Sequence, residues 1–309
     1  MQNILITGSN GQLGRCLRDA VRDERYEVKG EKEESRKQKA ESSRCSYAQN
    51  FFFTDIEELD ITDINAVAKF IYRNKIDCVI NTAAYTAVDK AEDEPEEAFA
   101  VNTEGVWNLA HICMEQNVFL IHISTDYVFD GKATKPYKTG VRPKPASIYG
   151  WSKFKGEREI FFSQIPSMII RTSWLYSKYE HNFLKTMLKL GREKEEIFVV
   201  DDQYGVPTNA HDLAEAILNI IPHTNQITKP TIFHYTNEGV TTWYGFAKEI
   251  MKIAQLSCVV HPVSTSDYPT KAVRPAYSVL DLSKIKIQFH IQIHNWVDSL
   301  RRELADYGY

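Results

Sequence analysis

The sequence predicts an α/β protein built on a doubly wound parallel sheet, with a smaller and less regular α/β portion after it. Three observations carry this. Short β-rich runs alternate with amphipathic stretches through the first half, a glycine-punctuated turn joins the first strand to the first helix, and later strands end in small or hydroxylated residues. Such alternation sets parallel strands side by side with helices on both faces, and ligands then bind beyond the carboxyl ends of the strands.

The elements follow in order. "NILIT" (3–7), "FFFTD" (51–55), "CVIN" (78–81), "VFLIHIS" (118–124) and "SMIIRTS" (167–173) read as buried strands. Between them "GQLGRCLRDAVRD", "INAVAKFIYRNK", "EEAFAVNTEGVWNLAHICMEQN" and "SKFKGEREIFFSQ" carry apolar residues at helical spacing. Residues 29–50 are charged and Ser-rich without an apolar period, which reads as a solvated insertion. After residue 173 the pattern loosens. Helices are expected near 181–195, 209–221 and 242–255, with short strands "IFVV" and "TIFHYT" and proline-bearing loops. Residues 1–173 are thus expected to form the sheet domain, and 174–309 mainly a second domain partly interleaved with it.

Composition narrows the function. The chain has 309 residues, a net charge of −4 and 43% hydrophobic residues, with no apolar run near the roughly 20 residues a membrane helix needs. Its start lacks the marks of a signal peptide. Five cysteines, odd in number and without C-x-x-C, predict a reduced, cytoplasmic protein rather than a disulfide framework or zinc site. The mild acidity gives no reason to expect nucleic acid, and no membrane partner is expected.

Four features carry chemistry. "TGSNGQLG" places Gly8, Gly11 and Gly14 between a strand and a helix, where glycines let the backbone approach a pyrophosphate at the helix N-terminus. The spacing is G-x-x-G-x-x-G, not the standard dinucleotide fingerprint. Asp55 ends the next long strand, where a carboxylate accepts from an adenosine ribose and repels a 2′-phosphate, favouring NADH over NADPH. It lies 44 residues beyond Gly11 rather than the usual distance of about 20, an excess the 29–50 insertion explains. Asp60 is the alternative, lying near the adenine. "NTAAYTAVDKAE" (81–92) offers small residues for a chain passing beneath a cofactor, and "STDYVFDG" (124–131) offers the hydroxyls of Ser124 and Thr125. Finally, Tyr149 stands four residues before Lys153, on one face if the stretch is helical. Hydride addition to a carbonyl leaves an alkoxide that needs a proton. A phenol with its usual pKa of about 10 is a poor acid near neutrality, so a fixed lysine charge is expected to lower it.

Together these stretches resemble the extended short-chain dehydrogenase/reductase superfamily, and more closely its dTDP-4-dehydrorhamnose reductase family. "ITGSNGQLG", "ELDITD", "NTAAYTAVDKAE", "STDYVFDG", "YGWSK", "IIRTSWLY", "NFLKTML", "DDQYGVPT", "TTWYGFA" and "YPTKAVRPAYSVLD" occur in the family's order and cover nearly the whole chain except 29–50. The resemblance implies a Rossmann-type sheet, a smaller substrate-binding domain, and reduction of a nucleotide-sugar 4-keto group by NADH or NADPH, the last step of dTDP-L-rhamnose synthesis. It implies that Tyr149 donates the proton, that Lys153 binds the nicotinamide ribose, and that Thr125 holds the keto oxygen with Asp126 on the sugar. It places Gly11, Gln12 and Leu13 at the pyrophosphate, Asp60 and Ile61 near the adenosine, and Ala83, Ala84 and Tyr85 beneath the cofactor. Trp174, Asn182, Gln203 and Arg274 fall to the substrate. Some relatives carry a magnesium-binding glutamate where this chain has Cys16, so metal-linked dimerisation is not expected, and monomer and homodimer both stay open. His290 and His294 in "HIQIH" lack a third ligand and read as structural or solvated. Two alternatives remain: another nucleotide-sugar epimerase or reductase, and a non-catalytic cofactor-binding subunit such as the β subunit of methionine adenosyltransferase.

Overall fold

The computed structural model describes residues 2–23, 27–28 and 49–309. Strand β1 (Gln2–Thr7) leads into helix α1 (Gln12–Asp23), followed by β2 (Glu27–Val28), β3 (Gln49–Phe53), α2 (Ile64–Asn74) and β4 (Cys78–Asn81). Next come α3 (Pro95–Phe99), α4 (Gly105–Gln116), β5 (Phe119–Thr125), α5 (Ile148–Ser163) and β6 (Ser167–Thr172). The strands are joined in one parallel sheet of order β11-β6-β5-β4-β1-β3-β2, whose far edge strand is β11 (Thr231–His234). The order reverses at β1: Ile4 sits between Phe51 of β3 and Cys78 of β4. A crevice opens at such a reversal because the two connections leave in opposite directions.

Period-two alternation assigns each face. Ile4, Ile6, Ile121, Met168 and Ile170 point to one side with α1, α7 (Ala210–Ile220) and α9 (Ser283–Phe289). Leu5, Val79, Leu120 and Ile169 point to the other with α2, α4 and α5. Strands buried on both faces read as unbroken apolar runs, and each fully buried Ile or Leu contributes roughly 1.5–3 kcal/mol.

The remaining chain makes a third core. It contains β7 (Leu175–Tyr176), α6 (Phe183–Glu193), β8 (Glu196–Val200), β9 (Tyr204–Gly205), β10 (Thr208–Asn209), β12 (Thr241–Thr242), α8 (Trp243–Ile253), β13 (Val259–Val263) and α10 (Trp296–Asp306). Leu184, Leu188, Phe246, Ile250, Leu300 and Leu304 pack there together. α7, β11 and α9 return from this half of the chain to the first sheet.

Several expectations need correction. The charged 29–50 segment ends sooner: Gln49 and Asn50 are buried in β3, and Asn50 Nδ2 donates to Asn3 Oδ1 at 2.8 Å, which satisfies a polar residue inside a strand. Residues 29–48 lie outside the described residues. The single helix expected over 96–117 is interrupted by a π turn at Ala100–Glu104. There the buried Asn102 side chain accepts from Tyr85 N and donates to Tyr85 O, both at 3.0 Å, a bond pattern that ties this turn to the loop after β4. The short α9 and α10 were not expected, although Trp296, Leu300 and Leu304 recur every four residues along α10.

Candidate active site

The crevice is made by backbone. Gly8 has φ +66°, and a Cβ there would lie 2.5 Å from Ala83 N. The chains leaving β1 and β4 therefore touch, and only glycine fits. Gly14 does not face the crevice: a Cβ on it would meet Gly8 O and Ser9 Cα at 2.5 Å, so it seats α1 against the turn. Gly11, Gln12 and Leu13 line a cavity of about 1260 Å³, together with Asp60, Ile61, Ala83, Ala84 and Tyr85. Asp55 lines it too, but its Oδ2 accepts from Asn10 N at 2.8 Å and its Oδ1 from Ile56 N at 2.9 Å, so the carboxylate braces the glycine turn. Asp60 Oδ1 accepts from Thr62 N at 2.8 Å.

Tyr149 and Lys153 share helix α5, which Ser147 caps by accepting from Gly150 N at 3.1 Å. Both line the same cavity as the glycine turn and are buried within it. Burial pushes the Tyr149 phenol above the ordinary tyrosine range; a Thr125 hydrogen bond opposes this, while Asp126 and Tyr127 add to it. Lys153 does not enter, so the expected lowering by the lysine is not what the structure shows. Lys153 Nζ instead donates to Ile123 O at 2.7 Å, and burial lowers its pKa to about 8, with Glu157 opposing. Ser124 also lines the cavity, its hydroxyl donating to Glu157 Oε1 at 2.6 Å. Thr125 donates to Asp126 Oδ1 at 3.0 Å. Burial raises the Asp126 pKa to about 6 despite the nearby hydroxyls, and Asp126 Oδ2 has no hydrogen-bond partner among the described residues.

The opposite wall is made by side chains. Trp174 follows β6 with φ +46° and stacks on Trp243, ring centroids 3.7 Å apart and planes 12° apart. Its indole fills the space a Cβ on Gly205 would need, at 2.5 Å. Asn182 caps α6, accepting from Lys185 N at 3.1 Å, and donates to Gln12 Oε1 at 3.0 Å. Gln203 donates to Thr265 Oγ1 at 3.0 Å. Arg274 pairs with Asp89 and donates to Tyr127 Oη at 3.2 Å. All of these predicted residues line the cavity. The two histidines of "HIQIH" do not; they are exposed beside a second, polar hollow. Cys16 is fully buried against α7, where burial pushes its thiol up. Among the described residues no group of three or more His, Cys, Asp or Glu side chains could hold a metal, and no helix is long and apolar enough to cross a membrane.

Sequence reading missed Tyr127, whose ring meets Tyr149 edge-on at 5.5 Å, and Trp243 and Asp89, which hold Trp174 and Arg274. Tyr127 follows the Thr125–Asp126 pair directly, a signal that was there to use. A Trp at a helix start reads as core until its stacking partner is known. The chemistry of the crevice fits a dinucleotide: a turn with no room for Cβ atoms, small residues facing it, and the free N–H groups of the first turn of α1.

The family model described as the RmlD substrate binding domain matches residues 1–308. A dTDP-4-dehydrorhamnose reductase from Aggregatibacter actinomycetemcomitans is 38% identical over 310 residues, spanning 97% of this chain and 98% of its own. The crystal structure of a dTDP-4-dehydrorhamnose reductase from Clostridium acetobutylicum matches with a TM-score of 0.88 at 36% identity, covering 100% of both chains. The enzyme of that name from Bacillus anthracis str. Ames, solved in complex with NADP, matches at 0.87 and 35%, covering 99% of this chain and 100% of its own. With its glycine turn, Tyr149 and Lys153 opening on one cleft, this chain belongs to the dTDP-4-dehydrorhamnose reductase family.

Proposed function

We propose that this protein uses NAD(P)H to reduce the 4-keto group of dTDP-4-dehydro-β-L-rhamnose to dTDP-β-L-rhamnose. One observation carries the reading: a buried phenol, a buried ammonium and a threonine hydroxyl open on the same cavity as a turn that only glycine can make. Residues 1–173 hold the dinucleotide, with Gly11, Gln12 and Leu13 at the pyrophosphate and Asp60 and Ile61 near the adenosine. Residues 174–309 mainly hold the nucleotide sugar through Trp174, Asn182, Gln203 and Arg274.

Bound NAD(P)H supplies the hydride. Charge then develops on the keto oxygen, and Tyr149 Oη gives it a proton. The raised pKa of Tyr149 keeps the phenol protonated until the alkoxide forms and needs that proton. Thr125 turns its hydroxyl proton from Asp126 to the keto oxygen and keeps that oxygen against the phenol. Lys153 spends one of its three N–H donors on Ile123 O, leaving two for ribose hydroxyls. The aromatic wall of Trp174 and Trp243 excludes water from the sugar face.

The test is a spectrophotometric assay of NAD(P)H oxidation with the 4-keto nucleotide sugar, paired with product identification. Oxidation that depends on the keto sugar and yields the rhamnosyl nucleotide supports the reading. Its absence at every enzyme concentration refutes it.

A further inference from the structure

We propose that Glu157 is a positioning residue for this reduction: pinned by Arg171 and Ser124, it fixes the charge of Lys153 and locks α5 to the strand end that presents Thr125. The inference rests on Tyr149 and Lys153 serving the reaction. Tyr149, Lys153 and Glu157 recur every four residues on α5, which puts them on one face, and all three are buried. Glu157 is 1% exposed, as is Arg171 on β6, and the two meet in a fork: Arg171 Nε to Oε1 at 2.8 Å and Nη2 to Oε2 at 2.6 Å. Oε1 also accepts from Ser124 Oγ at 2.6 Å, one residue before Thr125. A single carboxylate thus ties the helix of the phenol and ammonium to β5 and β6, whose ends form the floor of the cleft.

The charges close in a simple way. Lys153, Glu157 and Arg171 together carry one net positive charge, and Lys153 is the member that lines the cavity. Of the other titratable groups, Tyr149 one turn away on the same helix and Asp126 just past β5 line the same cavity, and His122 on β5 feels the Lys153 charge. Burial keeps His122 neutral near physiological pH, and Lys153 pushes its pKa lower still. Glu157 is the charged neighbour that opposes the loss of the Lys153 proton, against the burial that favours it. Without Glu157 Arg171 would lose its buried partner and Lys153 the negative charge that opposes its deprotonation, and the lysine is the one able to give up its charge. Without Arg171 the carboxylate would act on Lys153 alone and hold its proton more tightly.

The two single variants therefore push in opposite directions, which a scaffold role would not do. The measurement is the pH dependence of kcat/KM and, separately, of NAD(P)H affinity by fluorescence, in wild type, Glu157→Gln, Arg171→Met and the double variant. The activity of the wild type is expected to fall above about pH 8, where Lys153 loses its proton. Glu157→Gln is expected to move that limb down, and Arg171→Met to move it up, each on the order of one pH unit. The double variant removes the buried pair as a unit, a change proteins commonly tolerate, and its limb is expected below that of wild type because the carboxylate that favours the charged lysine is gone. Shifts of the same sign in both single variants, or lost activity with the limb unmoved, overturn the proposal. Should the single variants fail to fold, the double variant decides, and an unmoved limb there overturns it. A wild type without turnover refutes the reduction instead, while the pH dependence of NAD(P)H affinity still reports the Lys153 charge.

Discussion

The two walls of the cleft are built by opposite means. On the dinucleotide side the backbone makes the site: Gly8 lies against Ala83, Gly14 against Ser9, and Asp55 holds the amide of Asn10. On the opposite side, proposed to take the sugar, the side chains make it, each held by a partner distant in sequence: Trp174 by Trp243, Arg274 by Asp89, Asn182 by Gln12. The first wall fails when an atom is added and the second when one is removed. Tyr149 stands between them, on a helix that packs on the first sheet and faces the second wall.

The largest effect is expected at that meeting point. Tyr149→Phe removes the proton source but keeps the ring that meets Tyr127 edge-on. Turnover is expected to drop about 10²–10⁴-fold, the usual range for a lost general acid, while NAD(P)H affinity stays near wild type. Steady-state rates and a fluorescence titration separate the two. Unchanged turnover would remove Tyr149 from the chemistry and leave only the architecture.

Gly8→Ala attacks the backbone wall. The new Cβ would lie 2.5 Å from Ala83 N at φ +66°, so the turn must shift or carry roughly 1–3 kcal/mol of strain. NAD(P)H affinity and Tm are expected to fall together. A variant that binds cofactor normally would mean that the contact between the two strand ends is not what shapes this wall.

The same contrast explains what could be read from sequence. Gly8, Ala83 and Thr125 each come at a strand end, and strand ends are visible as apolar runs, so the dinucleotide wall was legible in order and nearly in place. α5 was legible too, through Tyr149 and Lys153, although its first turn was not. The sugar wall was reached through family resemblance, because nothing local in Gln203 or Arg274 says which distant residue they face. Burial also reversed one expectation: a lysine four residues from a phenol suggests a lowered pKa, but desolvation raises it and Lys153 does not enter. The π turn at Asn102 was hidden for a similar reason, since the bonds that select it go to Tyr85 and Ser152.

Arg274→Ala tests the side-chain wall. The guanidinium already pairs with Asp89, which is partly exposed, so a ligand gains only the difference between the two partners. The KM for the nucleotide sugar is expected to rise about tenfold, equivalent to about 1.4 kcal/mol, with NAD(P)H affinity unchanged. A change in cofactor affinity would show that the walls are coupled through Tyr127, which Arg274 touches.

The smallest effect is expected at Asp55, and it sharpens the boundary between bracing and recognition. Its oxygens accept from Asn10 N and Ile56 N, and an asparagine carbonyl can replace one of these acceptors but not both. The charge itself is half-exposed, where a single ionic contact contributes roughly 0.2–1 kcal/mol. Asp55→Asn is therefore expected to shift the ratio of NADPH to NADH affinity toward NADPH by no more than about fivefold, with a modest loss of affinity for both. A shift of two orders of magnitude would make Asp55 the residue that reads the ribose. No shift with a large loss for both cofactors would make it purely a brace of the glycine turn, and the discrimination would then fall to Asp60, both of whose bonds to Thr62 use one oxygen, Oδ1.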